Sequence, residues 1–425
     1  MKAQPRAAGA QPAILFYGWS MIVIRQRHGV MITASLLFFW IGSTVCRAQV
    51  RDVLCTGGDG NFDAEFDAGI RVRVGAARNG TLATRACAGT LSWDRQELSI
   101  TGEAAQLDVD GFGMDLGVGA PVVSFQVKKS SSDCCMSYQV YTLEKPPRLL
   151  RTITGGDFFS ACDRDLDGRV EIWTRDAAAV DGFDNLSLSE LDFGPSLVLR
   201  FVHGKLLDVS AQFQAHFDEQ IAKIKAGLHP QDLQDFMSGG GKLTSSPKFS
   251  AEQLHRLRSI KAKVLEIVWS YLYSGREEEA WRSLREMWPA ADSKRIRAET
   301  MNARARGIRA QTDGELAEPS SRRRKHAPIF DAVRAQSEGK LEVIPPTQIL
   351  LRRPPDPTPG KDESEQVLDL VIDSAGKVRS VEPVGNVKQV GVELIQAAWA
   401  WKFVPAYKDG RPVACRMRLT VSPKQ

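Results

Sequence analysis

Histidine is scarce, with six residues in 425, and no two stand at metal-ligand spacing. There is no His-Glu-x-x-His helix for zinc, no Gly-x-Ser-x-Gly elbow and no Gly-x-Gly-x-x-Gly turn. The string Ser238-Gly239-Gly240-Gly241-Lys242-Leu243 lacks the spacing of a phosphate loop and the hydroxyl residue after its lysine, so it reads as a flexible break. No motif therefore supports an enzyme. Acidic residues are absent from the first 48 positions, which hold Lys2, Arg6, Arg25, Arg27 and Arg47. The whole chain has 56 basic and 51 acidic residues, so the remainder is charge-balanced. That balance excludes a generally cationic, nucleic-acid-coating protein. Glycine and proline, 35 and 21 residues, are too few for a collagen or a wholly disordered chain.

What is present begins with a targeting pattern. Arg25, Arg27 and His28 precede an uncharged run over residues 29–45, and Cys46-Arg47-Ala48 follows. A basic region, a short apolar core and a small residue at the cut make a secretory signal ending at Ala48. The alternative is an uncleaved anchor, because about 17 apolar residues is the lower limit of a membrane span. Both place the bulk of the chain outside the cytosol: periplasmic or secreted, or anchored in the inner membrane and facing the periplasm.

Beyond Cys46 six cysteines remain: Cys55, Cys87, Cys134, Cys135, Cys162 and Cys415. Export makes disulfides the expectation, and six thiols leave the pairing open. Adjacent Cys134 and Cys135 are expected to take separate partners.

Residues 50–210 alternate in short runs, such as Ile70-Arg71-Val72-Arg73-Val74, between clusters of Gly, Asn, Asp and Ser. They predict a β-rich domain. From 211 to 290 the period becomes helical. Ser250 and Gln253 form a capping box ahead of the stripe Leu257, Ile260, Val264, Ile267 and Val268, and a second helix runs to Pro289. Residues 291–361 read as a linker, basic up to residue 330 and then proline-rich.

In the last segment, residues 362–425, Val367–Ile372, a turn at Asp373-Ser374-Ala375-Gly376 and a return strand form a hairpin. A helix from about Val390 to Trp401 and a last strand, Val413 to Val421, complete a ββαβ unit. Trp401-Lys402-Phe403-Val404-Pro405-Ala406, together with Gly410-Arg411-Pro412-Val413, resembles the TonB C-terminal domain family over about 60 residues. Trp401 and Phe403 are expected to join helix to sheet, Pro405 to stop the helix and Gly410 to make the turn. The resemblance implies contact with an envelope protein, of the outer-membrane receptor type, through pairing of an exposed strand edge. Ala414, Arg416, Arg418 and Thr420 lie on the strand put forward for that edge. Energy transducers of this family have an anchor and a long spanner, whereas some 300 other residues intervene here.

The sharpest chemical signal is Asp163-Arg164-Asp165-Leu166-Asp167-Gly168-Arg169-Val170-Glu171. Carboxylates at alternate positions, then Gly, then an acid, suit a structural Ca²⁺ held by Asp163, Asp165, Asp167 and Glu171. The segment resembles the loop of FG-GAP or VCBS-type β repeats. Its other reading is a solvated acidic turn in which Asp163 and Asp167 cap backbone hydrogen bonds.

The expectation is a multidomain α+β chain: signal or anchor (1–48), mainly-β domain (50–210), helical hairpin (211–290), linker (291–361) and TonB-like ββαβ module (362–425). Its expected work is non-enzymatic protein contact in the periplasm, with no nucleic acid. Membrane contact would come through residues 29–45 or the basic linker. Two alternatives stand: a cell-envelope glycan hydrolase targeted by the C-terminal module, and a membrane-anchored energy transducer.

Overall fold

The alternation at Ile70-Arg71-Val72-Arg73-Val74 puts three aliphatic side chains on one face, and all three are buried. This strand, Ile70–Ala76, belongs to an antiparallel four-stranded meander with Phe62–Phe66, Cys87–Trp93 and Gln96–Ala104. Its apolar face packs on an eight-stranded sheet. That sheet runs in the order Cys55–Thr56, Gln106–Met114, Val122–Lys128, Met136–Thr142, Leu149–Cys162, Glu171–Asp176, Ser196–Val202 and Lys205–Asp208. Phe62, Val72 and Leu91 meet Leu107, Phe112 and Phe125 in the shared core. The structure, a computed structural model, describes residues 54–66, 69–77, 86–132, 134–243, 249–316, 326–332, 343–350, 365–385 and 392–421. It is a mixed α+β protein with several sheets.

The far half of the large sheet is covered by helices Gln214–Ala226, Pro230–Gly239, Ala251–Tyr273, Glu277–Met287 and Ser293–Arg306. The capping box forms: Gln253 N–H donates to Ser250 Oγ at 3.1 Å, and Ser250 N–H to Gln253 Oε1 at 3.0 Å. Tyr138, Phe159, Phe217, Trp269 and Trp288 fill this second core. No helix among the described residues is long and apolar enough to cross a membrane. Residues 29–45, the Arg322–Lys325 cluster and Pro354–Pro359 lie outside the described residues.

Asp176 ties sheet to helices. Its carboxylate accepts the Tyr273 hydroxyl at 2.7 Å, the Ile308 N–H at 3.0 Å and the Ala179 N–H at 3.3 Å. Burial pushes this carboxyl up to about 6. A folded pKa above the unfolded one contributes stability that is present below about pH 4 and lost as pH rises through about 6. Over that window the loss is about 3 kcal/mol. Asp176→Asn is expected to flatten this part of the stability profile in urea titrations, and Asp176→Ala to cost about 2–4 kcal/mol at any pH by orphaning buried donors.

Several expectations need correction. Cys134 and Cys135 bond to each other, with Cα atoms 3.7 Å apart, because Cys55 is taken by Cys87 while Cys162 and Cys415 are buried and in no disulfide. The segment from 291 is not all linker. Ile296, Thr300 and Ala303 recur at helical spacing and are buried on Ser293–Arg306. Charge composition hid that stripe. Phe330–Asp331 and Thr347–Leu350 are short strands paired with the C-terminal module.

That module holds a sheet ordered Phe330–Asp331, Cys415–Val421, Gln366–Ile372, Val378–Pro383. The helix spans Val392–Ala398 and ends before Trp401, earlier than expected. The closing strand is shorter too. Arg411–Val413 turns back on Ala406–Lys408 through Asp409-Gly410, and only Cys415–Val421 joins the sheet. Trp401 and Phe403, each 1% exposed, lie in a core with Leu368, Leu370 and Leu394, and Pro405 is buried.

Candidate functional site

The chemistry of this chain concentrates where the C-terminal module meets the large sheet. Strand Gln106–Met114 is buried on both faces. Leu107 and Val109 face the small sheet, so alternation turns Asp108 and Asp110 the other way. Two lysines of the module meet them. Lys402 Nζ donates to Asp108 Oδ1 and Oδ2 at 2.8 and 2.7 Å and to the Val109 carbonyl at 2.8 Å. Lys377 Nζ donates to Asp110 Oδ1 at 2.7 Å and to its carbonyl at 2.6 Å. Asp110 also accepts the Tyr138 hydroxyl at 2.8 Å and the Ala161 N–H at 2.7 Å. Burial raises the Asp108 carboxyl, and Lys402 pulls it back. Tyr407 adds a hydroxyl bond to the Gly113 carbonyl. Two buried charge pairs with nearly every lone pair used make an electrostatic clamp.

Beside the clamp lies the acid loop, between strands Leu149–Cys162 and Glu171–Asp176. Asp163 is fully buried. Its carboxylate accepts the Asp167 N–H at 3.0 Å, the Gly168 N–H at 2.9 Å and the Ser374 hydroxyl at 3.1 Å. Asp373 returns the contact by accepting the Asp163 N–H at 3.0 Å, and it folds its own turn by accepting from Ala375 and Lys377, each at 2.9 Å. Arg379 donates to the Arg164 carbonyl at 2.8 Å. The loop thus clasps the hairpin turn of the module. Burial, then the charge of Asp373, pushes the Asp163 carboxyl up to about 7.

Ligand atoms of Asp163, Asp165 and Asp167 lie within 4.8 Å of one another. Glu171 is not among them. It is fully buried and pairs with Arg200, whose Nε stands 2.9 Å away. Three carboxylates could hold a hard cation, while both oxygens of Asp163 already carry protein donors.

The proposed edge residues fall on Cys415–Val421 and just before it. This strand pairs along its whole length with Gln366–Ile372 on one side. On the other, the Ala414 carbonyl accepts the Phe330 N–H at 3.0 Å. Backbone groups alternate sides along a strand, so Ala414, Arg416, Arg418 and Thr420 all point to this second flank. Phe330–Asp331 covers only Cys415 and Arg416. Among the described residues, no strand pairs with Arg418–Val421 on that flank. Arg416, Arg418 and Thr420 are exposed, and Arg418 is held by Asp369 at 2.8 and 2.9 Å. Gly410 takes φ +75° in the turn, as its type allows.

Sequence reasoning missed Lys377, Lys402, Asp108, Asp110, Asp373 and Ser374 as contact residues. A signal existed: two aspartates two apart inside a strand are unusual, and a shared face then demands a cationic partner. The resemblance of the module to the TonB C-terminal domain rests on its own motif residues. No family model, curated protein or solved structure matches this chain.

Proposed function

We propose that this chain is an exported, non-enzymatic adaptor of the bacterial cell envelope. It binds a partner protein by strand addition along Ala414, Arg416, Arg418 and Thr420. The observation that carries this reading is the flank of Cys415–Val421, whose outward backbone groups lack a described partner strand beyond Arg416. The module's motif side chains, Trp401, Lys402 and Phe403, are spent inside the protein, which leaves strand edges as its outward features: this flank and, among the described residues, the outer side of Val378–Pro383. The Cys55–Cys87 disulfide supports export to the periplasm. An outer-membrane receptor is the partner class that the TonB resemblance suggests.

The test is a photo-crosslinking residue at Thr420 in cells carrying the native envelope. A discrete adduct is expected, and Arg418→Pro should abolish it. Proline at 418 removes one flank-facing N–H and spares the ladder to Gln366–Ile372, so the fold should survive. Absence of any adduct, or an adduct that persists in the folded Arg418→Pro protein, would overturn the reading.

The acid loop is proposed as a structural Ca²⁺ site of Asp163, Asp165 and Asp167. A bound ion would neutralise clustered carboxylates and stiffen the loop that clasps the module. Millimolar CaCl₂ is expected to raise the melting temperature by several degrees, roughly the equivalent of 1–3 kcal/mol. Asp165→Asn with Asp167→Asn should remove that rise. An unchanged melting temperature leaves the loop as a hydrogen-bonded turn.

A further inference from the structure

One end of the eight-stranded sheet opens into a cleft of about 820 Å³ that the strand flank does not touch. Gln106, Lys128, Met136 and Arg175 line it at or near strand ends, Asp157 lines it from within Leu149–Cys162, and the segment from Asp181 to Phe193 closes the other side. The Cys134–Cys135 disulfide stands at its wall. We propose that this cleft binds a neutral saccharide.

The lining argues for that class. Lys128 and Arg175 face Asp157, Asp181 and Asp192, so neither sign dominates, and Arg175 is already paired with Asp157. A phosphate or polyanion would want an excess of cations, which the cleft lacks. A hydrophobic ligand would want predominantly apolar walls. Instead, Gln106, Lys128, Asp181 and Asp192 make no side-chain hydrogen bond or ion pair among the described residues. They offer both donors and acceptors at one opening. Met136, Phe193 and the linked cysteines add apolar surface between them. Bonding Cys134 to Cys135 replaces two thiols by one rigid ring without an S–H donor. A sugar ring matches this mixture. Its hydroxyls donate and accept together, and its C–H face lies on apolar surface. The volume admits a few sugar units.

The experiment is saturation-transfer NMR on the full chain with three probes: a β-1,4-linked N-acetylglucosamine tetramer, a maltopentaose and a cellopentaose. Transfer to ring protons of at least one probe is expected, with a dissociation constant of about 0.1–1 mM, as befits an open polar site. Asp181→Ala with Asp192→Ala should weaken it at least tenfold. Both positions are exposed, and the left-handed Asp192, φ +53°, adds a conformational cost of about 1–2 kcal/mol to its alanine, so Lys128→Ala serves as a second variant if folding is not kept. Silence from all three probes overturns the proposal. So does equal transfer in the folded variants, or binding of a control peptide alone. None of these results bears on strand addition, which is read at Thr420.

Discussion

Replacing Lys377 and Lys402 together by methionine is expected to detach the C-terminal module from the large sheet. Each lysine neutralises an aspartate that is 7% exposed or less on its side chain. Removing one partner of a buried pair strands the other charge, at about 3–5 kcal/mol. The two losses should not add simply, because Lys377 and Lys402 bridge to each other through their backbones. Asp108→Asn and Asp110→Asn, introduced into the Lys377→Met, Lys402→Met protein, should recover part of the loss, since the penalty lies in the uncompensated carboxylates. Urea unfolding of the four-way set reads these energies directly. Hydrogen exchange should locate the opening at Gln106–Met114 and at the Asp373–Lys377 turn. A loss below about 1 kcal/mol for the double lysine variant would mean the clamp is solvated.

Gly376→Ala is expected to unfold the C-terminal module outright. Gly376 has φ +80°, and a Cβ there would stand 1.8 Å from the Phe403 carbonyl oxygen. The Phe403 N–H donates to the Gly376 carbonyl at 2.9 Å, so the two backbones touch and neither can withdraw. A left-handed alanine alone costs about 1–2 kcal/mol, and the collision adds more, for a total above about 4 kcal/mol. Gly410 provides the comparison. It has φ +75°, and a methyl group on its Cα would meet nothing within 4 Å, so Gly410→Ala should cost only the conformational part. Loss of tryptophan burial at Trp401 reports the first variant, and a small shift in melting temperature reports the second.

The two residues also show what is legible in the sequence. The hairpin turn and the motif after the helix are readable because turn chemistry and apolar spacing are local. Strands at Ile70, Val122 and Ser196 and the capping box at Ser250 are readable for the same reason. What the motif is for is not readable. Lys402 looks like a spacer between two aromatics, and its partner Asp108 lies 294 positions away. Nothing local distinguishes a lysine that snorkels to water from one that meets a buried aspartate. The acid loop reads as a cation site, and three of its four acids do converge. The fourth, Glu171, is invisible as a partner of Arg200, because that pairing depends on a strand register between Glu171–Asp176 and Ser196–Val202. The adjacent cysteines fail in the opposite way: their sequence favours distant partners, and the fold joins each to its neighbour.

Docking of the module on the sheet is the claim on which the rest depends, since it spends the motif inside and turns the strand flank outward. A protease site placed within residues 317–325, ahead of Phe330–Asp331 and Thr347–Leu350, which pair with the module, allows the purified full chain to be cut between the two parts. Gel filtration of the cut protein at micromolar concentration and physiological salt then reads the docking. Co-elution of both fragments as one particle is expected, with separation in the Lys377→Met, Lys402→Met protein. Separation of the wild-type fragments without denaturant would contradict the docking and return the module to the end of a tether.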